Sequence, residues 1–164
     1  PERGASGPAG GPAAEGAPAS GQEQEEDTAE LSAQLRGLAR EALSSLGWQA
    51  EEQERGGRAV FLFHAGLRHL QCKLVIEEGA LMFLAAYSVP EGWGRARALA
   101  FANGWNDEKR FSRACVDADG DLVLDMNLDA RAGAYDRGAM EHLIQLFGLS
   151  ALRCAEEMYK GPPS

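Results

Sequence analysis

The chain has 164 residues, with 16 Lys+Arg against 25 Asp+Glu and a formal net charge of −9. That balance lacks the phosphate-neutralising charge behind non-specific nucleic-acid binding, so no nucleic-acid partner is expected. No run approaches the roughly 18 consecutive apolar residues of a membrane helix, so no membrane partner is expected either.

The charge is unevenly placed. Residues 1–27 hold six acids and one base, −5, and leave −4 for the remaining 137 residues. They contain no Val, Ile, Leu, Met, Phe, Trp, Tyr or Cys, hence no apolar surface to offset the entropy of ordering. A disordered Gly/Ala/Pro-rich acidic tail is expected over 1–27, a single domain over 28–160 and a flexible C-terminus over 161–164. No basic region followed by an apolar stretch marks a secretory signal, and the opening on Pro1 leaves room for a leader already removed. Cys72, Cys115 and Cys154 are odd in number and widely spaced, which argues for a reducing, cytoplasmic setting rather than a disulfide framework.

Asp27–Thr28–Ala29–Glu30 is a capping-box-like helix start. Leu31, Leu35, Leu38, Ala42 and Leu46 mark the inner face of that helix, and Gly47 ends it. From Trp48 to Ser88 the period becomes two and predicts three or four strands. Ala59–Phe63 follows the turn Arg55–Gly56–Gly57, and His69–Ile76 joins Ala80–Ser88 through Glu77–Glu78–Gly79. After Pro90–Glu91–Gly92 a second helix is predicted over Trp93–Trp105, with Ala96, Leu99, Ala100 and Asn103 inward. Leu122, Leu124, Met126 and Leu128 alternate with polar residues in a strand that pairs with Arg110–Asp117. A two-residue turn at Asp119–Gly120 would set Arg113 opposite Met126 and Asp117 opposite Leu122. A three-residue loop with Gly120 left-handed sets Val116 opposite Leu122, Ala114 opposite Leu124 and Arg113 opposite Asp125. The second pairs like with like and is the expected register.

Asp136 caps a last helix reaching Lys160, with Met140, Leu143, Ile144, Phe147, Ala151, Cys154, Ala155 and Met158 on one side. Gly148 in its middle is expected to mark a bend. Strands joined by short turns are antiparallel, so the fold class is α+β: an antiparallel β-sheet with flanking helices, in the order helix, three or four strands, helix, two strands, helix.

Little in the chain reads as chemistry. Asp117, Asp119 and Asp121 resemble the start of a calcium loop, but the positions owed to Gly and to a bidentate Glu are Leu122 and Leu128; an acidic hairpin turn is expected instead. His64, His69 and Cys72 do not converge on a metal, because His69 and Cys72 point to opposite faces of a strand. Cys115 and Cys154 read as small buried hydrophobes. There is no nucleophile elbow, Walker loop or dinucleotide fingerprint, and Gly92–Trp93–Gly94 is a turn. No catalytic residue, metal or cofactor is expected, and the chain is read as a non-enzyme.

The segment Asn103 to Phe111 is denser than the rest. Read structurally, its Asn side chains close the helix end and Trp105 and Phe111 anchor the core. Read functionally, Asn103, Trp105, Asn106, Arg110 and Arg113 are candidate binding residues. With Arg95, Arg97 and Lys109 they form a local basic patch able to hold an acidic peptide segment.

Asn103-x-Trp105–Asn106, Arg110–Phe111-x-Arg113–Ala114, Asp117-x-Asp119–Gly120–Asp121–Leu122–Val123–Leu124 and Asp125-x-x-Leu128–Asp129 resemble the YbjN family of bacterial sensory transduction regulators. The likeness is dense from Ala100 to Asp129 and thinner from Leu31 to Tyr159. Arg131–Ala132–Gly133–Ala134 departs from the Gly-Gly that relatives carry before the last helix. The resemblance implies a fold similar to type III secretion chaperones, homodimerisation, and binding of extended segments of partner proteins. It brings no catalytic residues. The function expected is a regulatory or chaperone-like protein-binding module. The alternative is a small-molecule or nucleotide-binding domain, or an enzyme, using the Asn103/Asn106/Arg110 junction.

Overall fold

A computed structural model describes residues 19–65 and 70–160. Its elements are α1 (Ala19–Ser45), β1 (Ala50–Arg55), β2 (Arg58–His64), β3 (Gln71–Glu77), β4 (Ala80–Tyr87), α2 (Arg95–Glu108), β5 (Arg113–Val116), β6 (Leu122–Asp129), a 3-10 turn at Ala130–Ala132, and α3 (Arg137–Lys160). Gly56 and Gly57 (φ +60°, +78°) close β1 on β2, and Glu78 and Gly79 (φ +48°, +75°) close β3 on β4. Positive φ at both central residues is the turn geometry that follows the natural twist of two strands. The six strands form one antiparallel sheet in the order β1-β2-β3-β4-β6-β5. This is the expected α+β fold with flanking helices.

One face of the sheet makes the core. Phe61, Leu74, Phe83 and Met126 lie opposite one another across β2, β3, β4 and β6; Phe63, Cys72, Ala85, Leu124 and Ala114 form the next row. All nine are buried. α1 packs on α3 and β3, and α3 on β4 and β6. Phe147 meets Phe83 at 5.5 Å between ring centroids, and the buried Tyr87 hydroxyl donates to the Ala151 carbonyl at 2.8 Å.

The β5–β6 register is the like-with-like one: Val116 faces Leu122, Ala114 faces Leu124 and Arg113 faces Asp125. Gly120 stands at φ +93°. The Asp117 carboxylate accepts from the Asp119 and Asp121 amides at 3.0 and 2.9 Å, so it caps the turn. Gly47 ends α1 at φ +67°, where Trp48 N–H donates to Leu43 O and Gly47 N–H to Ser44 O, the paired arrangement of a glycine C-cap. Asp136 accepts from Ala139 N–H at 2.7 Å and caps α3.

Several expectations are corrected. α1 starts at Ala19, inside the stretch read as tail, because Gln22–Glu26 are good helix formers; Asp27 is therefore interior to the helix and not its cap. The buried residues of α1 are Leu35, Ala39, Ala42 and Leu43, while Leu31, Leu38 and Leu46 sit half-buried at the margins. The inner face of α2 is Ala98, Ala102 and Trp105, not Ala96, Leu99, Ala100 and Asn103. Burying Trp105, the largest side chain, sets the phase and leaves Leu99 41 % exposed. β1 (Ala-Glu-Glu-Gln-Glu-Arg) is a strand without apolar alternation, which no hydrophobic pattern would locate. Cys115 is exposed, on the face of β5 away from the helices, whereas Cys72 and Cys154 are buried and burial pushes both thiols up to about 12. His64 is exposed and Cys72 buried on the opposite face; His69 lies outside the described residues, as do 1–18 and 161–164.

Gly148 is a contact and not a break: α3 runs on from Arg137 to Lys160. A Cβ there would stand 2.9 Å from Ala65 Cβ and 3.1 Å from Trp48 Cη2. Helix propensity alone favours Gly148→Ala by about 1 kcal/mol, but overpacking against Ala65 costs about 1–3 kcal/mol. Gly148→Ala is expected to lower the denaturation midpoint, and Ala65→Gly in the same chain to recover part of the loss; a midpoint raised by Gly148→Ala alone would show that the contact is slack.

The polar β1 is held to α1 by charge. Arg40 donates to both Glu52 oxygens at 2.6 and 2.8 Å, and Arg36 reaches Glu52 and, at 3.3 Å, Glu54. The Arg40 hydrogen bonds lead in holding the Glu52 carboxyl at about 2, below its ordinary 4.5, with burial opposing and Arg36 assisting. A depressed acid stabilises fully above its unfolded value and loses that contribution as pH falls. Glu52→Gln should therefore cost up to about 1 kcal/mol at neutral pH. Thermal melts of the two proteins should converge as pH drops from 4.5 towards 2.

Candidate functional site

The end of α2 and the start of β5 are locked by three side chains. Trp105 and Ser112 are both buried, and the Trp105 indole N–H donates to Ser112 Oγ at 3.3 Å. Asn106 donates through Nδ2 to Ala114 O at 2.9 Å and accepts through Oδ1 from Ala114 N–H at 2.7 Å. Residues that face each other in an antiparallel pair alternate between exchanging and not exchanging backbone hydrogen bonds. Ala114 turns both its backbone groups to the outer side of the sheet, so the Asn106 amide stands where a seventh strand would pair. Arg95 Nη1 donates to Asp117 O at 2.9 Å further along the same edge.

With Trp105 and Ser112 turned inward, Phe111 between them is thrown outward and is 65 % exposed. It lines a groove of about 400 Å³ with Trp105, Glu108, Lys109, Arg110 and Ser112 on one wall, where Glu108 pairs with Lys109 at 3.1 Å. Leu146, Leu149, Ser150 and Arg153 of α3 form the other wall, and Leu149 is 67 % exposed. Glu157 ties the walls together, 3.3 Å from Lys109 Nζ and 2.8 Å from Arg153 Nε. Burial pushes the Glu157 carboxyl upward, but the hydrogen bonds from Arg153 and Lys109 prevail and hold it below its usual value. Lys109 also sits 5.3 Å from the Trp105 ring centroid. Arg110 has no ion-pair partner among the described residues.

The five candidate residues separate. Trp105 and Arg110 line the groove. Asn106 is committed to the β5 edge. Asn103 is exposed on α2 outside the groove lining. Arg113 lies on the opposite face of the sheet, its side chain 80 % exposed and 3.9 Å from Asp125. The basic patch divides likewise, because Arg95 and Arg97 start α2 about 20 Å from Lys109 and Arg110 at its end; Arg97 stacks over Trp93 at 4.6 Å. Phe111 is not the core anchor it was expected to be. The α3 wall was readable only as a second stripe, since 146, 149, 150 and 153 repeat at i, i+3, i+4 and i+7.

A wider cleft of about 1440 Å³ lies between α1 and the β1–β2 hairpin. Its Arg36 and Arg40 are already paired with Glu52 and Glu54. No group of three or more His, Cys, Asp and Glu among the described residues is placed to hold a metal, and no described helix is long and apolar enough to cross a membrane.

A model of the YbjN family, described as "Putative bacterial sensory transduction regulator", matches residues 39–160. The chain belongs to the YbjN family. The YbjN match runs from within α1 to the last residue of α3 and takes in both walls of the groove. The family description is that of a regulator and not of an enzyme. Neither the curated proteins nor the solved structures hold a match.

Asn106→Ala strips the partner from the Ala114 N–H and C=O. A cost of about 1–3 kcal/mol is expected, with faster amide exchange at Ala114 in an NMR hydrogen-exchange series. Unchanged stability and exchange would mean that the side chain is free for another task.

Proposed function

We propose that this protein is a non-enzymatic, chaperone-like regulatory module that holds an extended segment of a partner protein in the groove between the α2–β5 junction and α3. The observation that carries the reading is the pair of exposed apolar side chains, Phe111 and Leu149, lining one groove with Arg110 and Arg153. Exposed apolar groups rimmed by polar ones mark interaction sites. Two apolar residues of the partner would cover Phe111 and Leu149, and an adjacent acid would meet Arg110, whose planar guanidinium takes a carboxylate through two parallel hydrogen bonds.

Strand addition suits the molecule less well. Asn106 and Arg95 occupy the β5 edge, and β1 is tied to α1 through Glu52 and Glu54 and carries Glu51, which has no cationic partner among the described residues. A nucleotide or small molecule gripped by Asn103, Asn106 and Arg110 would need the amide that Ala114 already holds. The buried thiols Cys72 and Cys154 suit a reducing, cytoplasmic setting.

The test is affinity capture from the native host with wild type, Arg110→Glu, Leu149→Asp and a Glu51→Ala control, followed by fluorescence anisotropy on peptides cut from whatever is captured. Wild type and Glu51→Ala should bind the same acidic, apolar peptide, and Arg110→Glu and Leu149→Asp should weaken it at least about tenfold, or 1.4 kcal/mol. Equal binding by all four would overturn the assignment of the groove. Stabilisation by several degrees with a nucleotide or metabolite, lost in Arg110→Ala, would replace a protein partner with a small one.

A further inference from the structure

The peptide groove is closed at one end. Its α3 wall runs from Leu146 to Arg153, about 10 Å of helix. One turn beyond Arg153, Glu157 ties that wall to Lys109 on the other, and Glu108 pairs with Lys109 in turn. Two acids and two bases thus cross the end of the groove as a neutral bridge. From there the opposite wall leads away in chain order: Lys109 in the bridge, then Arg110, then the exposed ring of Phe111. Arg110 has no ion-pair partner among the described residues. The groove therefore keeps one uncompensated positive charge beside its exposed apolar pair, Phe111 and Leu149.

We propose that the groove takes the carboxyl-terminal end of a partner chain, its last residue seated against the bridge with the main-chain carboxylate on Arg110. The proposal rests on the groove reading above and adds where in the partner the bound segment lies. Three extended residues fill about 10 Å. A segment running through would have to cross the bridge and lay its backbone over four paired charged groups. That would take the charges and the segment's own amides out of water, at a cost the ion pairs return only in part. A segment that ends there crosses nothing.

The chemistry of a chain end also fits the order of the wall. A terminal residue carries a carboxylate and a side chain on one Cα, and Arg110 and Phe111 stand next to each other to receive them. The planar guanidinium takes both carboxylate oxygens at once. Side chains alternate along an extended chain, so the last and third-last residues share a face about 7 Å apart. Apolar groups at those two positions cover Phe111 and Leu149. An amino terminus would instead bring a positive charge to Arg110 and be repelled.

The probe is a pool of random heptapeptides with free carboxyl ends, passed over the immobilised full chain. Retained peptides are read by mass spectrometry, and each is remade as the free acid, the amide and a form extended by three glycines for fluorescence anisotropy. The retained set should be apolar at the last and third-last positions. Amidation and extension should each weaken binding at least about tenfold, a comparison that needs no variant. Arg110→Gln should weaken the free acid as much and leave the amide unchanged, because the two losses are one interaction. Leu149→Asp should weaken both forms. Peptides that bind equally well amidated or extended, yet still need Leu149, overturn the chain end as ligand and leave the groove reading standing. Peptides indifferent to Arg110→Gln and Leu149→Asp alike overturn both. A free-acid pool from which nothing is retained overturns the chain end alone, since longer internal segments could still fill the groove.

Discussion

A six-stranded antiparallel sheet has two faces to dispose of, and the described helices of this protein take only one of them. From that constraint the rest follows. Every strand from β2 to β6 must present the same parity inward, so each connection has to preserve it. The two-residue turns at Gly56–Gly57 and Glu78–Gly79 and the loop closed by Gly120 do so. A slip of one residue would carry the row of Phe61, Leu74, Phe83 and Met126 into water. With each buried aromatic contributing about 2–3 kcal/mol, register is decided by the core; a surface pair such as Arg58–Glu77 adds about 1 kcal/mol at most.

An open sheet must also dispose of its edges, and the two are treated differently. β1 is charged along its length and tied back to α1 through Glu52 and Glu54. At β5 a helix side chain replaces the missing strand, as the Asn106 amide offers one donor and one acceptor at the spacing of a backbone peptide. Locking α2 to β5 in this way forces the short Lys109–Ser112 crossing that turns Phe111 outward against α3. The groove is thus a by-product of closing the edge, and the same contacts that stabilise the edge orient the groove's exposed residues.

Much of this was legible along the chain. The β5–β6 register followed from pairing like with like. Gly47 and Asp136 announced their helix ends, because a left-handed residue and a carboxylate solve local problems of unpaired backbone groups. The buried face of α3 was read nearly residue for residue. The phase of α2 was not, since with small residues all round only the seat of Trp105 decides which way the helix turns. Gly148 was misjudged because a glycine that admits a close neighbour looks the same in sequence as one that weakens a helix. For the site, Trp105 and Arg110 were singled out and do line the groove. Asn103, Asn106 and Arg113 go elsewhere, and Leu149 and Arg153 escaped notice because a helix-period reading assigns one stripe to the core and leaves a second stripe without a partner.

By itself the sequence determined the α+β class, the order of the elements apart from the polar β1, the turns and the β5–β6 register, because each depends on neighbours a few residues apart. It also determined that the acidic balance is uneven, with −5 in the first 27 residues and −4 in the rest. Only the tertiary structure decided what the remaining charges do. It scattered the bases of residues 95–113 to three places, tied Lys109 and Arg153 to Glu157, and left Arg110 at a groove. Among the described residues it also left one sheet face without a helix. Those outcomes turn on where α1, α2 and α3 come to rest, which is set by packing between segments distant in the chain.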